Sequence, residues 1–250
     1  MASTASARPH QLRSVTAAFG HAATYSASFN IRGYQYTGRF LFPAVKAKHQ
    51  ANLAFVLDDM AGWETAMLAE LSAPRHDNGW VRIHDSGDFF SDEYLLAWLR
   101  IIRQRPNVTF YCYTKEVERF RRLVETDPPA NFRWTYSYGG TQDADLDPER
   151  DHVTDVFADE AGITQAGWTS QEECDTDAVS GPHRIGTPAR RVPHLLRRQA
   201  GRRFSEWQAE VDAEHANRRE RKHLRLVVDY TRPDLSERPT AEPADQPRAA

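Results

Sequence analysis

From Trp80 to Gly140 the chain alternates between short strand patterns and amphipathic helix patterns, and that rhythm admits few folds. Trp80 to Ile83 reads as a strand. Ser91 then caps a helix, with Asp92 and Glu93 in its positive first turn and Leu95, Trp98, Leu99 and Ile102 on one face, stopped by Pro106. Val108 to Tyr113 is the next strand. Val117, Phe120 and Val124 mark a second helix, ended by Pro128 and Pro129, and Phe132, Trp134, Tyr136 and Tyr138 alternate as a third strand before Gly139-Gly140 breaks it. Strands joined through helices in this way are expected to be parallel neighbours, with right-handed crossovers.

The pattern extends in both directions. Pro43 suits a helix first turn, followed by Val45, His49, Leu53 and Val56 at helical spacing. Asp58 or Asp59 caps the next helix, which carries Met60, Trp63, Met67 and Leu71. His152 to Phe157 is a candidate strand. A polar helix is expected from Phe204 to about Lys222, and Leu224 to Val228 is a candidate last strand. The expected organisation is a disordered N-terminus over 1–13, a single α/β domain over 14–230 and a disordered, Pro- and charge-rich tail over 231–250. The expected fold class is α/β, with parallel β-α-β units in a partial or irregular TIM-barrel-like arrangement.

Composition narrows the function classes. A chain of 250 residues with 40% hydrophobic residues supports a well-buried core. A net charge of -3 argues against a general polyanion binder, but it conceals segregation. Twelve acids and one base lie between Thr141 and Asp177, whereas twelve bases and five acids lie between Arg184 and Arg225. Arg197, Arg198, Arg202, Arg203, Arg218, Arg219, Arg221 and Lys222 make nucleic acid a candidate partner. The competing reading is a solvated helix partly neutralised by the acidic stretch, with Phe204 and Trp207 on its buried face. Two cysteines, Cys112 and Cys174, supply neither a disulfide scaffold nor a closed thiolate metal site, so no metal is assigned. No apolar run approaches membrane-spanning length, and 1–13 lacks the apolar core of a secretory signal. A cytoplasmic protein with no membrane partner is expected.

Ligands of parallel sheets collect beyond the carboxyl ends of the strands. His84, Asp85, Ser86, Gly87 and Asp88 follow the first strand of the Trp80–Gly140 run, Tyr113, Thr114 and Lys115 end the second, and Ser137 and Gly139 end the third. The candidate catalytic set is His84, Asp85, Asp88 and Lys115. The candidate substrate-binding set is Ser86, Gly87, Tyr113, Thr114, Ser137 and Gly139. Asp85 and Asp88 are open to three roles: magnesium ligands, an acid–base pair, or caps of the next helix. Lys115, one of four lysines, is within reach of either carboxylate from the neighbouring strand and suits a small anionic ligand. Gly139-Gly140 offers backbone amides to an anion or is simply a turn. Arg184, Arg190 and Arg191 are further candidate cations for the same rim. If Asp88 and Lys115 serve a ligand, Asp88→Asn and Lys115→Met should leave stability unchanged or raise it. No dinucleotide fingerprint, phosphate loop, zinc-protease motif or nucleophile elbow is present, which leaves the cofactor unassigned.

The strings RIHDSGDFFSDEYLLAW and FYCYTK resemble the phage gene product eighty-eight family, found in actinobacterial phages and their hosts. GRFLFPAVKAKHQANLA, GPHRIGTPARR and GRRFSEWQAE extend the resemblance over roughly 33–210. It implies a phage-type accessory protein, with a ligand or catalytic site on the rim. The alternative is a non-catalytic nucleic-acid- or protein-binding module on a degenerate enzyme fold. Relatives carry several cysteines ahead of the G-R-F/Y-x-F-P element, suggestive of a metal or iron–sulfur site. This chain has Ala23 to Tyr34 there with no cysteine, so the resemblance carries no cluster across.

Overall fold

The computed structural model describes residues 13–14, 42–84, 87–171, 176–189, 196–197 and 199–231, with side chains to 220 apart from those of 13, 14 and 46. In chain order the elements are β1 (Arg13–Ser14), α1 (Pro43–Asp58), α2 (Met60–Glu70), β2 (Trp80–Ile83), α3 (Asp92–Arg103), β3 (Thr109–Thr114), α4 (Val117–Leu123), β4 (Phe132–Ser137), β5 (Val153–Phe157), α5 (Glu160–Gln165), β6 (Thr169–Ser170), α6 (Asp177–Ser180), β7 (Arg184–Pro188) and α7 (Phe204–Thr231). Most of the expected 1–13 and 231–250 segments fall outside the described residues. Two units separate at Gln208: an α/β body, and the segment from Ala209 onwards.

The strands lie in the order β1-β2-β3-β4-β5-β7-β6, and every neighbouring pair is parallel. The expected α/β class with parallel β-α-β units is what the chain forms. From β1 to β5 the spatial order follows the chain, without the reversal that defines a doubly wound sheet. The sheet also curves between β3 and β6. Tyr113 on β3 and Gln171 just beyond β6 are four strand steps apart, roughly 19 Å across a flat sheet. Yet Gln171 Nε2 donates to Tyr113 Oη at 2.5 Å, and Gln171 Oε1 accepts from Thr187 Oγ1 at 2.9 Å. The concave face is therefore crossed by a polar bridge, and the Arg82 guanidinium lies 4.6 Å from the Tyr113 ring centre on the same face.

The convex face carries the core. Val81, Ile83, Phe110, Cys112, Phe132 and Tyr136 meet Trp63 and Met67 of α2, Leu95, Trp98, Leu99 and Ile102 of α3, and Phe120 of α4 in one buried cluster. Local chemistry sets the helix starts. Ser91 accepts from Tyr94 N and Asp59 from Gly62 N, each satisfying an amide with no partner inside its helix.

One element differs in type from its expectation. Leu224 to Val228 is helical, because α7 runs unbroken to Thr231. No Gly or Pro occurs between Phe204 and Thr231, so nothing stops propagation until Pro233.

Candidate functional site

At the carboxyl rim, Asp88 is the tie between two strand ends. Its carboxylate is 3% exposed. Oδ1 accepts from Phe89 N at 2.9 Å and Thr114 Oγ1 at 2.7 Å, and Oδ2 accepts from Lys115 N at 2.6 Å. Burial still pushes the carboxyl up to about 6, against the pull of these three donors. Gly87 precedes it with φ +96, a backbone that favours glycine.

Lys115 joins the Asp88 tie through its backbone, while its side chain turns toward β4. Nζ donates to Ser137 O at 2.9 Å, to Ser137 Oγ at 3.1 Å, and to Tyr138 O. Burial lowers its affinity for the proton, and the negative charges of Asp143, Asp88 and Asp155 partly restore it. The amides of Gly139 and Gly140 both donate to Asp143, at 2.7 and 2.9 Å, so the chain's own carboxylate occupies the anion site those glycines offer.

The first turn of α7 closes this end of the rim. Gly139 has φ +91, and a Cβ built there would stand 2.2 Å from the Phe204 ring and 3.5 Å from Lys115 Nζ. Ser205 donates to Asp155 through Oγ at 2.5 Å and through its amide at 3.2 Å. Asp155 is itself buried, and desolvation raises its pKa in spite of these bonds. Asp143, Asp155, Phe204 and Ser205 were absent from the sequence-derived site. The sequence puts Phe204 on a helix face, and nothing in the local pattern places that face over Gly139.

His84 has a structural setting. Strand alternation would send it to the concave face after Ile83, but φ +64 turns its ring into the helix layer. There Nε2 lies 3.0 Å from Tyr94 Oη, and the imidazole packs on Phe89 and Tyr94. Thr114 bridges Asp88 and the amide of Glu116. Tyr113 faces the concave bridge. Asp85, Ser86, Arg190 and Arg191 lie outside the described residues. Arg184 does not reach the rim. It opens β7 opposite Val153, the first residue of β5, and pairs with Glu149 at 3.2 Å, which places it at the amino end of the sheet.

Among the described residues, no group of three or more His, Cys, Asp or Glu is arranged to hold a metal ion. Cys112 is buried, and burial pushes its thiol well up; Cys174 lies outside the described residues. No described helix is long and apolar enough to cross a membrane.

No solved structure matches the chain. Among curated proteins, it is 56% identical over 34 residues to the Gene 88 protein of Mycobacterium phage L5, and 53% identical over 34 residues to the Gene 88 protein of Mycobacterium phage D29. Each match covers 14% of this chain and 14% of the relative. The family described as Gene product 88 matches across residues 32–222, a span that includes β2 to β7 and the whole rim. On that span the chain belongs to the Gene product 88 family.

Proposed function

We propose that the carboxyl rim is the ligand site of a phage-type accessory protein, on a TIM-barrel-like parallel sheet, and that Lys115 is its anchoring cation for a small anion. The observation that carries this reading is a half-buried lysine at a strand end, its ammonium held by neutral acceptors of Ser137 and Tyr138. Its charge is thus not directly neutralised by a bonded carboxylate in that cage. Asp88 has both oxygens occupied and acts as a positioning residue, fixing the Lys115 backbone. The curl of the sheet and the chain-following order of β1 to β5 support the barrel-like description. The Phe204 ring lies against Gly139 on the Lys115 side of the rim, so its removal widens the approach to the ammonium.

The test is thermal unfolding with orthophosphate or malonate titrated into the parent, Lys115→Met and Phe204→Ala. Ligand that binds only the folded state raises its melting temperature. A rise is expected in the parent, a larger one in Phe204→Ala and none in Lys115→Met. Equal rises in the parent and Lys115→Met would remove Lys115 from the site.

A further inference from the structure

The helix layer has a gap. β2–β3 and β3–β4 are each connected through a helix, but the link from β4 to β5 contains only a single 3-10 turn, Asp143–Asp145. Beside β4, between α4 and α6, a cleft of about 550 Å³ remains, floored by the buried Phe132 and Tyr136 and by the half-buried Trp134. That volume is in the range of small-molecule sites. The cleft lies on the helix-facing side of the sheet, whereas the Lys115 site lies beyond the carboxyl ends of the strands.

Its lining combines three kinds of chemistry. Phe132, Trp134 and Tyr136 project from alternate positions of β4, and Trp134 is only half-buried although it stands in the middle of a strand. Glu125 supplies a carboxylate: Oε1 accepts from Tyr136 Oη at 2.6 Å, and the group retains acceptor capacity toward the cleft. Arg133 and Arg150 supply exposed guanidinium groups. Among the described residues, Arg133 donates only to the carbonyls of Ala130 and Phe132. Arg150 touches Asp151 through Nε at 3.4 Å with 64% of its side chain exposed. Asp151 is buried and already bonded to Arg121 at 3.0 Å.

An aromatic face, an acceptor for ring N–H groups and a pair of planar cations suit a ligand with an aromatic ring, polar donors and an anionic group. We infer that this cleft binds a mononucleotide. The base stacks on Trp134 and donates to Glu125, while Arg133 and Arg150 hold the phosphate through their planar donor forks.

Isothermal titration of the full chain with guanosine and adenosine 5′-monophosphates tests this, with ribose 5-phosphate as the control that lacks a base. Saturable binding of at least one nucleotide is expected in Lys115→Met as in the parent, and in Lys115→Met, which lacks the rim cation, none of the sugar phosphate. Trp134→Leu and Arg150→Ala should each weaken binding at least tenfold. Persistence of nucleotide binding in Lys115→Met separates this cleft from the rim. Arg150 is largely exposed, so its variant keeps the test sound should Trp134→Leu fail to fold. The inference falls if neither nucleotide saturates the protein, if ribose 5-phosphate binds Lys115→Met as well as the nucleotide does, or if folded Arg150→Ala binds like the parent.

Discussion

Asp88 and Lys115 are joined through the lysine's backbone: Asp88 Oδ2 accepts from Lys115 N at 2.6 Å while Lys115 Nζ bonds at the end of β4. Opposite charges on neighbouring strand ends suggest an ion pair in the sequence. The fold uses them in series, so that the carboxylate sets the position of a backbone whose side chain is directed elsewhere.

Asp88 gives the protein a specific pH dependence. Its folded pKa, about 6, lies above the ordinary 3.8, so the native state binds the proton more tightly than the unfolded state. Its favourable contribution is complete below pH ~4 and is lost as pH rises through about 6, by about 3 kcal/mol in all. Asp88→Asn cannot titrate, so it should gain stability relative to the parent across that window. Denaturant melts of both proteins from pH 4 to 7.5 check this. A constant difference would show that Asp88 titrates alike in the folded and unfolded states.

Gly139 and Phe204 should be energetically coupled. Gly139→Ala meets both a φ of +91 and a ring 2.2 Å from its new Cβ, and is expected to cost about 3 kcal/mol. In a Phe204→Ala background the ring is gone, and only the backbone strain of about 1 kcal/mol should remain. A double-mutant cycle by urea unfolding measures the difference, and additivity would mean that the ring does not rest on Gly139.

Ser205→Ala removes the 2.5 Å hydroxyl donor from Asp155 and leaves the amide bond. The expected cost is about 2 kcal/mol at neutral pH, typical of a hydrogen bond to a charged group. Because the folded pKa of Asp155 is already raised, the deficit should shrink as pH falls through it and the carboxyl becomes neutral. A deficit independent of pH would mean that the lost bond does not depend on the charge of Asp155.

The run from β2 to β4 was legible because each element carries its own signals there. Trp80–Ile83 matches the expected strand, and Ser91 caps α3 as its sequence indicates. The same local signals located Asp88, Thr114, Lys115 and Ser137 at one edge. They could not show Phe204 over Gly139 or Ser205 on Asp155, since those contacts join segments about 65 and 50 residues apart. β7 was missed because Arg184 to Pro188 is punctuated by Gly186 and Pro188, residues that weaken a strand pattern. At β7 Gly186 is required by packing, since a Cβ there would meet Ile163 at 2.7 Å. Leu224 to Val228 shows the opposite error, an apolar run ending in Val227-Val228 that is absorbed by a helix with no stop signal.

The Tyr113–Gln171 bond also has a kinetic meaning. Pairing of β2, β3 and β4 closes loops of modest length, whereas this bond joins residues 58 apart and requires both β6 and β7 to be in place. Loop length alone therefore predicts that it forms late in folding, after the β2–β4 pairings. Tyr113→Phe should lose about 1 kcal/mol, almost all of it as faster unfolding, with the refolding rate unchanged. In stopped-flow chevrons the unfolding limb alone would move. The curl of the sheet would then act as a latch on the lifetime of the native state, while the speed of reaching that state is set elsewhere.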